Sequence, residues 1–243
     1  MMLTGPKKAL LQVKEHLKKS YELKAEILGW SADETQEVEF LGRQIRLTKS
    51  GIEYEAGRKH VGELLQSWAL TEANGVTTPG VSSQKQDDND TEEPMSNEKA
   101  TKYRRCAAIL NYLSQDRCDI SFATKEIARS MARPNQSDEV KLKRALRYLL
   151  THPRGIYHFP FQNEPEEITC FIDSDWAGCS KTRKSTSGGT TCLGRHLGKL
   201  WSSTQTVISL SVGEAEYYGI VKGSAMGKGT QSVLLDMGLE SKW

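Results

Sequence analysis

Apolar positions along this chain change period twice. Between residues 8 and 23, Leu10, Val13 and Leu17 recur at helical spacing and predict an amphipathic helix. Residues 38–47 alternate instead, with Val38 and Phe40, then Ile45 and Leu47. Lys49-Ser-Gly51 then turns the chain into Ile52-Glu-Tyr54, a hairpin pattern. A helix over about 57–70 would carry the stripe Val61, Leu64, Leu65 and Trp68, ended by the breakers Asn74-Gly75 and Pro79-Gly80. Three more helices are predicted at about 102–113, 120–131 and 137–150, with Pro134 separating the last two. Ser137-Asp-Glu139 favours a helix start, although Ser137 with Val140 three residues on makes a poor capping box. Strand periods return near the carboxyl end, where 168–175, 187–193 and 199–204 read as antiparallel strands joined by short turns. A long helix follows over about 212–237, and no internal repeat is present. The expected fold is α+β: a helix and hairpin, a helical connection, then an antiparallel sheet packed by one long helix.

The first strand of that sheet ends in two carboxylates. Asp173 and Asp175 share a face, because side chains alternate along a strand. Glu214 and Glu216 are two apart on the helix and point in nearly opposite directions, so only one can face the sheet. Val212, Ala215, Gly219, Gly223 and Met226 form an apolar, small-residue stripe, and Glu216 lies beside it. Such a stripe would let the helix approach closely enough for Glu216 to reach Asp173. A strand carboxylate facing a helix carboxylate is how a two-metal phosphodiester-cleaving site is assembled. Mg²⁺ keeps several waters and takes a few carboxylates plus substrate phosphates, and two such ions activate the water and stabilise the leaving oxygen. The pair alone is a weak signal, since exposed Asp and Glu are ordinary surface residues.

Charge adds a second constraint. The formal net charge of +2 is strongly segregated. From 84 to 98 six acids face one base, Lys85, in a run without apolar periodicity that reads as a flexible acidic linker. Between 101 and 160 twelve bases face five acids, and between 176 and 213 five bases (Lys181, Arg183, Lys184, Arg195 and Lys199) face none. A basic surface beside carboxylates suits a phosphate backbone; ordinary solubilising cations are the alternative. The five cysteines form no Cys-x-x-Cys pair and the five histidines no helical ligand pair, so neither a disulfide framework nor a zinc site is suggested. There is no apolar run of about 18 residues and no signal-peptide core at the amino end, which implies a soluble, intracellular chain of one large or two small domains.

Several words in the sequence fall in a telling order. Phe171-Ile-Asp-Ser-Asp-Trp-Ala-Gly178, Thr182-Arg-Lys-Ser-Thr-Ser-Gly188, Trp201-Ser-Ser203 and Ser209-Leu-Ser-Val-Gly-Glu-Ala-Glu-Tyr217 together resemble the RNase H domain of copia-type LTR retrotransposon Pol polyproteins. Upstream, Arg117-Cys-Asp-Ile-Ser-Phe-Ala123, Met131-Ala-Arg-Pro134 and Lys143-Arg-Ala-Leu-Arg-Tyr-Leu149 resemble the connection between polymerase and RNase H. Phe40-Leu-Gly42 and Thr78-Pro79 resemble the segment after the polymerase palm. The resemblance implies a reverse transcriptase tail at 1–80, an acidic linker at 81–100, a helical connection at 101–160 and a truncated RNase H-like domain at 166–243.

It also implies site roles. Asp173 and Glu216, the second Glu of Glu-Ala-Glu-Tyr, would be the catalytic residues and the ligands of Mg²⁺ or Mn²⁺, with Asp175 a further metal candidate. Lys181, Arg183, Lys184 and Lys199 would contact nucleic acid, with an RNA–DNA hybrid as the implied partner. Two departures stand against full activity. The polymerase word Tyr-x-Asp-Asp is absent, and the third RNase H carboxylate, expected on a fourth strand, is not reached before Trp243. The expected function is therefore metal-dependent hydrolysis of RNA in hybrids, weak or lost in this chain alone unless other parts of the polyprotein complete it. The alternatives are a non-catalytic nucleic-acid-binding or interaction module, or an unselected relic. A cytoplasmic (virus-like particle) and a nuclear location are equally compatible with the sequence.

Overall fold

A computed structural model describes residues 2–57, 59–81, 93–179 and 182–239. Its fold is α+β, with a four-stranded and a three-stranded antiparallel sheet. Helix α1 (Lys7–Lys18) is shorter than its periodicity predicts and buries no residue, so its apolar stripe finds no core. Strands β1 (Glu37–Phe40), β2 (Arg43–Thr48) and β3 (Gly51–Glu55) form a meander. The single alternation expected across 38–47 is broken at Leu41 (φ 51°) and Gly42 (φ 75°), the paired left-handed conformations of a two-residue hairpin turn.

Residues 101–160, expected to form a helical connection, end in a strand. β4 (Ile156–Pro160) pairs with β3, setting Tyr54 opposite Tyr157. Pro153-Arg-Gly155 breaks the preceding helix, and Tyr157 and Phe159 supply aromatic, strand-favouring side chains. The joint is tied by Glu55, which is fully buried: Arg154 donates to both its oxygens at 2.7 and 2.9 Å, and Arg46 to one of them.

Helices α2 (Lys59–Ser67), α3 (Asn97–Leu113), α4 (Ser121–Arg129) and α5 (Gln136–Thr151) enclose the main core. The stripe predicted for α2 is buried there with Tyr103, Leu110, Leu142, Leu146 and Leu149. Tyr103 satisfies its buried hydroxyl by donating to the Ile127 carbonyl at 2.7 Å. The α5 cap lies two residues before the expected Ser137: Asn135 and Asp138 form a reciprocal capping box. Of the expected acidic linker, residues 82–92 lie outside the described residues. Its remainder is built into the fold, because Met95 is buried in the core and Ser96 caps α3.

The second sheet orders β5 (Ile168–Asp175), β6 (Thr186–Leu193) and β7 (His196–Thr204), with β5 at one edge. Helix α6 (Val212–Asp236) covers one face. The two sheets meet where the His196 Nε2–H donates to the Pro160 carbonyl at 2.7 Å and Gln162 bridges to Leu193 and Arg195. Among the described residues no helix is long and apolar enough to cross a membrane.

Candidate functional site

Exposure along β5 alternates strictly, with Ile168, Cys170, Ile172 and Ser174 turned inward. Those are the residues α6 meets. A Cβ placed on Gly219 would lie 3.3 Å from Ile172 Cγ2, and one on Gly223 would overlap the Ile172 side chain. The small-residue stripe does seat the helix closely, through Ala215, Gly219, Gly223 and Gly227. Val212, expected in that stripe, is instead exposed in the first turn of the helix.

Asp173 and Asp175 share a face, as expected, but it is the face turned away from α6. Strand phase therefore does not aim Asp173 at the helix, which corrects the convergence expected from the sequence. Glu216 and Lys222 lie three residues before and after Gly219, on opposite flanks of the stripe. Lys222 donates to Ser203 of β7, so the Glu216 flank overhangs the free edge of β5. Any meeting of the two carboxylates has to occur round that edge. Both are exposed, and neither has a hydrogen-bond or ion-pair partner among the described residues.

The neighbouring acids have structural work. Asp175 is turned into its own loop: it accepts the Thr186 N–H and lies so close to Gly178 that a Cβ there would overlap its carboxylate. Glu214 belongs to the α6 cap, accepting the Leu210 N–H at 2.7 Å while Ser211 accepts from the Glu214 N–H at 3.2 Å. The polar words flanking the site are also structural. Buried Gln205 donates to Ser187 Oγ at 2.9 Å and to the Ala215 carbonyl at 2.8 Å, and accepts from the Ser209 hydroxyl at 2.8 Å. Trp176 donates its indole N–H to the Ser209 carbonyl at 3.0 Å, and Ala177 N–H donates to Ser185 Oγ at the same distance. This node, missed in the sequence, pins the start of α6 to the sheet. Its only sequence signal is the clustering of small hydroxyl residues around Gln205.

Of the expected nucleic-acid contacts, Lys181 lies outside the described residues. Arg183 is exposed and Lys184 half-buried, both in the β5–β6 loop, while exposed Lys199 stands opposite Thr191 toward the other end of the sheet. A second basic element was not expected there: Lys125 of α4 donates to Thr186 Oγ1 at 2.9 Å, and Arg129 donates to Cys179 Sγ at 2.9 Å. Burial alone would push the Cys179 thiol up, but Thr182 and Arg129 together outweigh it and bring it down to about 7.

A two-metal site needs more ligands than gather here. Among the described residues no group of three or more His, Cys, Asp or Glu is placed to hold a metal ion. Asp173 and Glu216 are two hard oxygen donors, too few to hold a pair of Mg²⁺ or Mn²⁺ ions.

An edge strand ending in aspartates and a glycine-seated helix agree with the family that the sequence words suggested. Comparison with known proteins makes this specific. An uncharacterized mitochondrial protein of Arabidopsis thaliana, AtMg00810, is 31% identical over 194 residues, covering 76% of this chain and 75% of that protein. The retrovirus-related Pol polyproteins of Arabidopsis transposons RE1 and RE2 are each 30% identical, over 82% and 83% of this chain. The chain belongs to the copia-type retrotransposon Pol family. It spans 13% and 14% of the length of those two polyproteins. No family model matches it, and no solved structure does.

Proposed function

We propose that this chain is the reverse transcriptase tail, connection and RNase H-like portion of a copia-type Pol polyprotein, and that it binds RNA–DNA hybrids while hydrolysing their RNA strand weakly or not at all. The observation that supports this most is the seating of α6 on β5, which puts Glu216 above the free edge of the strand bearing Asp173. An A-form-like hybrid is read by backbone shape and 2′-hydroxyls, and the exposed Arg183 and Lys199 with the half-buried Lys184 are suited to contacting phosphates. Asp173 and Glu216 are the catalytic residues of this reading. With no group of three carboxylates placed to hold a metal among the described residues, no hydrolytic step is routed through a metal pair.

A second reading, a purely nucleic-acid-binding module, is favoured by one observation: Asp173 leaves the strand away from α6. A single assay separates the two. The purified chain, with Mg²⁺ or Mn²⁺, is incubated with a labelled hybrid, beside Asp173→Asn and Glu216→Gln. Slow cleavage lost in both variants supports the nuclease-derived site. Salt-dependent binding without cleavage supports the module, and robust cleavage surviving both substitutions overturns the assignment of these two residues. Primer extension should remain at background, since the sequence contains no Tyr-x-Asp-Asp word to hold polymerase metals.

A further inference from the structure

The sheet face that carries Asp173 is walled on one side by α4. Between them lies a cleft of about 380 Å³, lined chiefly by Asn111, Ser114, Ser121, Lys125, Arg129 and Ser202. Its wall contains an amide, three hydroxyls, an ammonium and a guanidinium, and no carboxylate. Glu126 stands nearby and pairs with Lys125 at 3.1 Å and Arg129 at 3.2 Å, so two cations share one acid and the site stays net positive. A cleft of about 440 Å³ beside β2 is different: Glu37, Glu39, Glu55 and Asp116 line it among its cations and oppose an anion.

Register connects the α4 cleft to the carboxylate edge. Asp173, Gly188 and Ser202 form one cross-strand row on β5, β6 and β7. With strands about 4.8 Å apart, Ser202 stands roughly 10 Å from Asp173. Gly188 between them has no side chain, so nothing rises from the row to block a polymer lying across it. We propose that the α4–β7 cleft holds a backbone phosphate of a nucleic-acid strand whose neighbouring phosphates run along this row toward Asp173. The inference rests on the reading that the chain binds nucleic acid. Lys125 and Arg129 supply the charge, and the serine hydroxyls and Asn111 amide the neutral donors that a phosphate oxygen accepts from.

The test is fluorescence anisotropy of a labelled RNA–DNA hybrid with the whole chain between 50 and 200 mM salt. Lys125→Ala/Arg129→Ala should bind about tenfold more weakly, with the slope of log K against log salt reduced by about 0.9, as expected for one lost phosphate contact. Because Lys125→Ala also removes the Thr186 contact, Ser202→Asp provides a second variant: it leaves both cations in place, sets a carboxylate in the cleft, and should weaken binding similarly. Hybrids with neutral methylphosphonate linkages should lose affinity for the wild type and much less for the double variant. Lys24→Ala, an exposed cation elsewhere, should change nothing. If both cleft variants bind like the wild type with an unchanged slope, the subsite is overturned and the nucleic-acid reading survives. If the wild type itself shows no salt-dependent binding to the hybrid, both fall.

Discussion

At the scale of single residues, Cys179 has a chemistry that its sequence neighbours do not announce. Its thiol is tuned from a distance, by Thr182 three residues on and by Arg129 on α4, fifty positions away in the chain. Burial pushes Cys106 up to about 12 and raises Cys170 as well. The thiolate is the nucleophile, so alkylation should rise with pH through about 7 at Cys179 and level off above it, while Cys106 stays inert. Peptide mapping after brief iodoacetamide treatment at pH 7.5 should find Cys179 modified before Cys106 and Cys170. Arg129→Ala should shift its half-maximal pH upward; an unchanged profile would remove Arg129 from the account. The same limit applies to the carboxylates. Chain order named Asp173 and Glu216, but period-two and period-3.6 reasoning gives only relative phase. Which face of β5 α6 would choose depended on Ile172 and the glycines, and that choice is made by packing.

Among the elements, α6 offers a direct test of how the site is held together. In a helix interior Gly→Ala gains about 1 kcal/mol from propensity, so packing decides the sign of each substitution. At Gly229 a new Cβ meets nothing within 4 Å, and Gly229→Ala should stabilise by roughly that 1 kcal/mol. At Gly223 the Cβ would overlap Ile172, and overpacking costs about 1–3 kcal/mol, so Gly223→Ala should be neutral to destabilising by up to ~2 kcal/mol. Ile172→Val, which removes the nearest methyl, should recover part of the loss. Urea melts of the three variants check this, and equal stabilisation at both glycines would mean that α6 is not seated as described. This helix and β5 were also the most legible elements, since α6 carries a clear small-residue stripe and β5 runs into Asp175 and a Trp-Ala-Gly loop. By contrast β4 was read as part of a helical connection, although Ile156, Tyr157 and Phe159 are strand formers. Five residues give too short a pattern, and the partner that fixes them, β3, lies about a hundred positions upstream.

For the whole molecule, the question is how much of the basic composition is free to meet a polyanion. The excess counted between 101 and 160 overstates it. Arg117 is buried against Asp119 and the His152 carbonyl, Arg154 is bound to Glu55, Arg104 donates to the Met131 carbonyl, and Arg144 and Arg147 tie down Thr78 and Asn74. Composition could not separate such internal ties from surface charge, because a guanidinium serves both equally well. The cations left for nucleic acid are spread out. Arg183 and Lys184 precede Thr186 at one end of β6, whereas Lys199 is level with Thr191, about 17 Å away at 3.4 Å per residue. Groups that far apart act independently, and Lys199 shares with Trp201 and Ser203 the face that α6 packs on, away from Asp173, so on the proposed reading they would meet different phosphates of the hybrid. Arg183→Ala/Lys184→Ala and Lys199→Ala should therefore each lower hybrid affinity without altering sequence preference. Their losses in log K should add in the triple variant. Salt titrations by anisotropy should show the slope falling by about 0.9 for each contact removed. If the triple variant binds no worse than the double, Lys199 contacts no phosphate, and the α6 face of the sheet takes no part in binding.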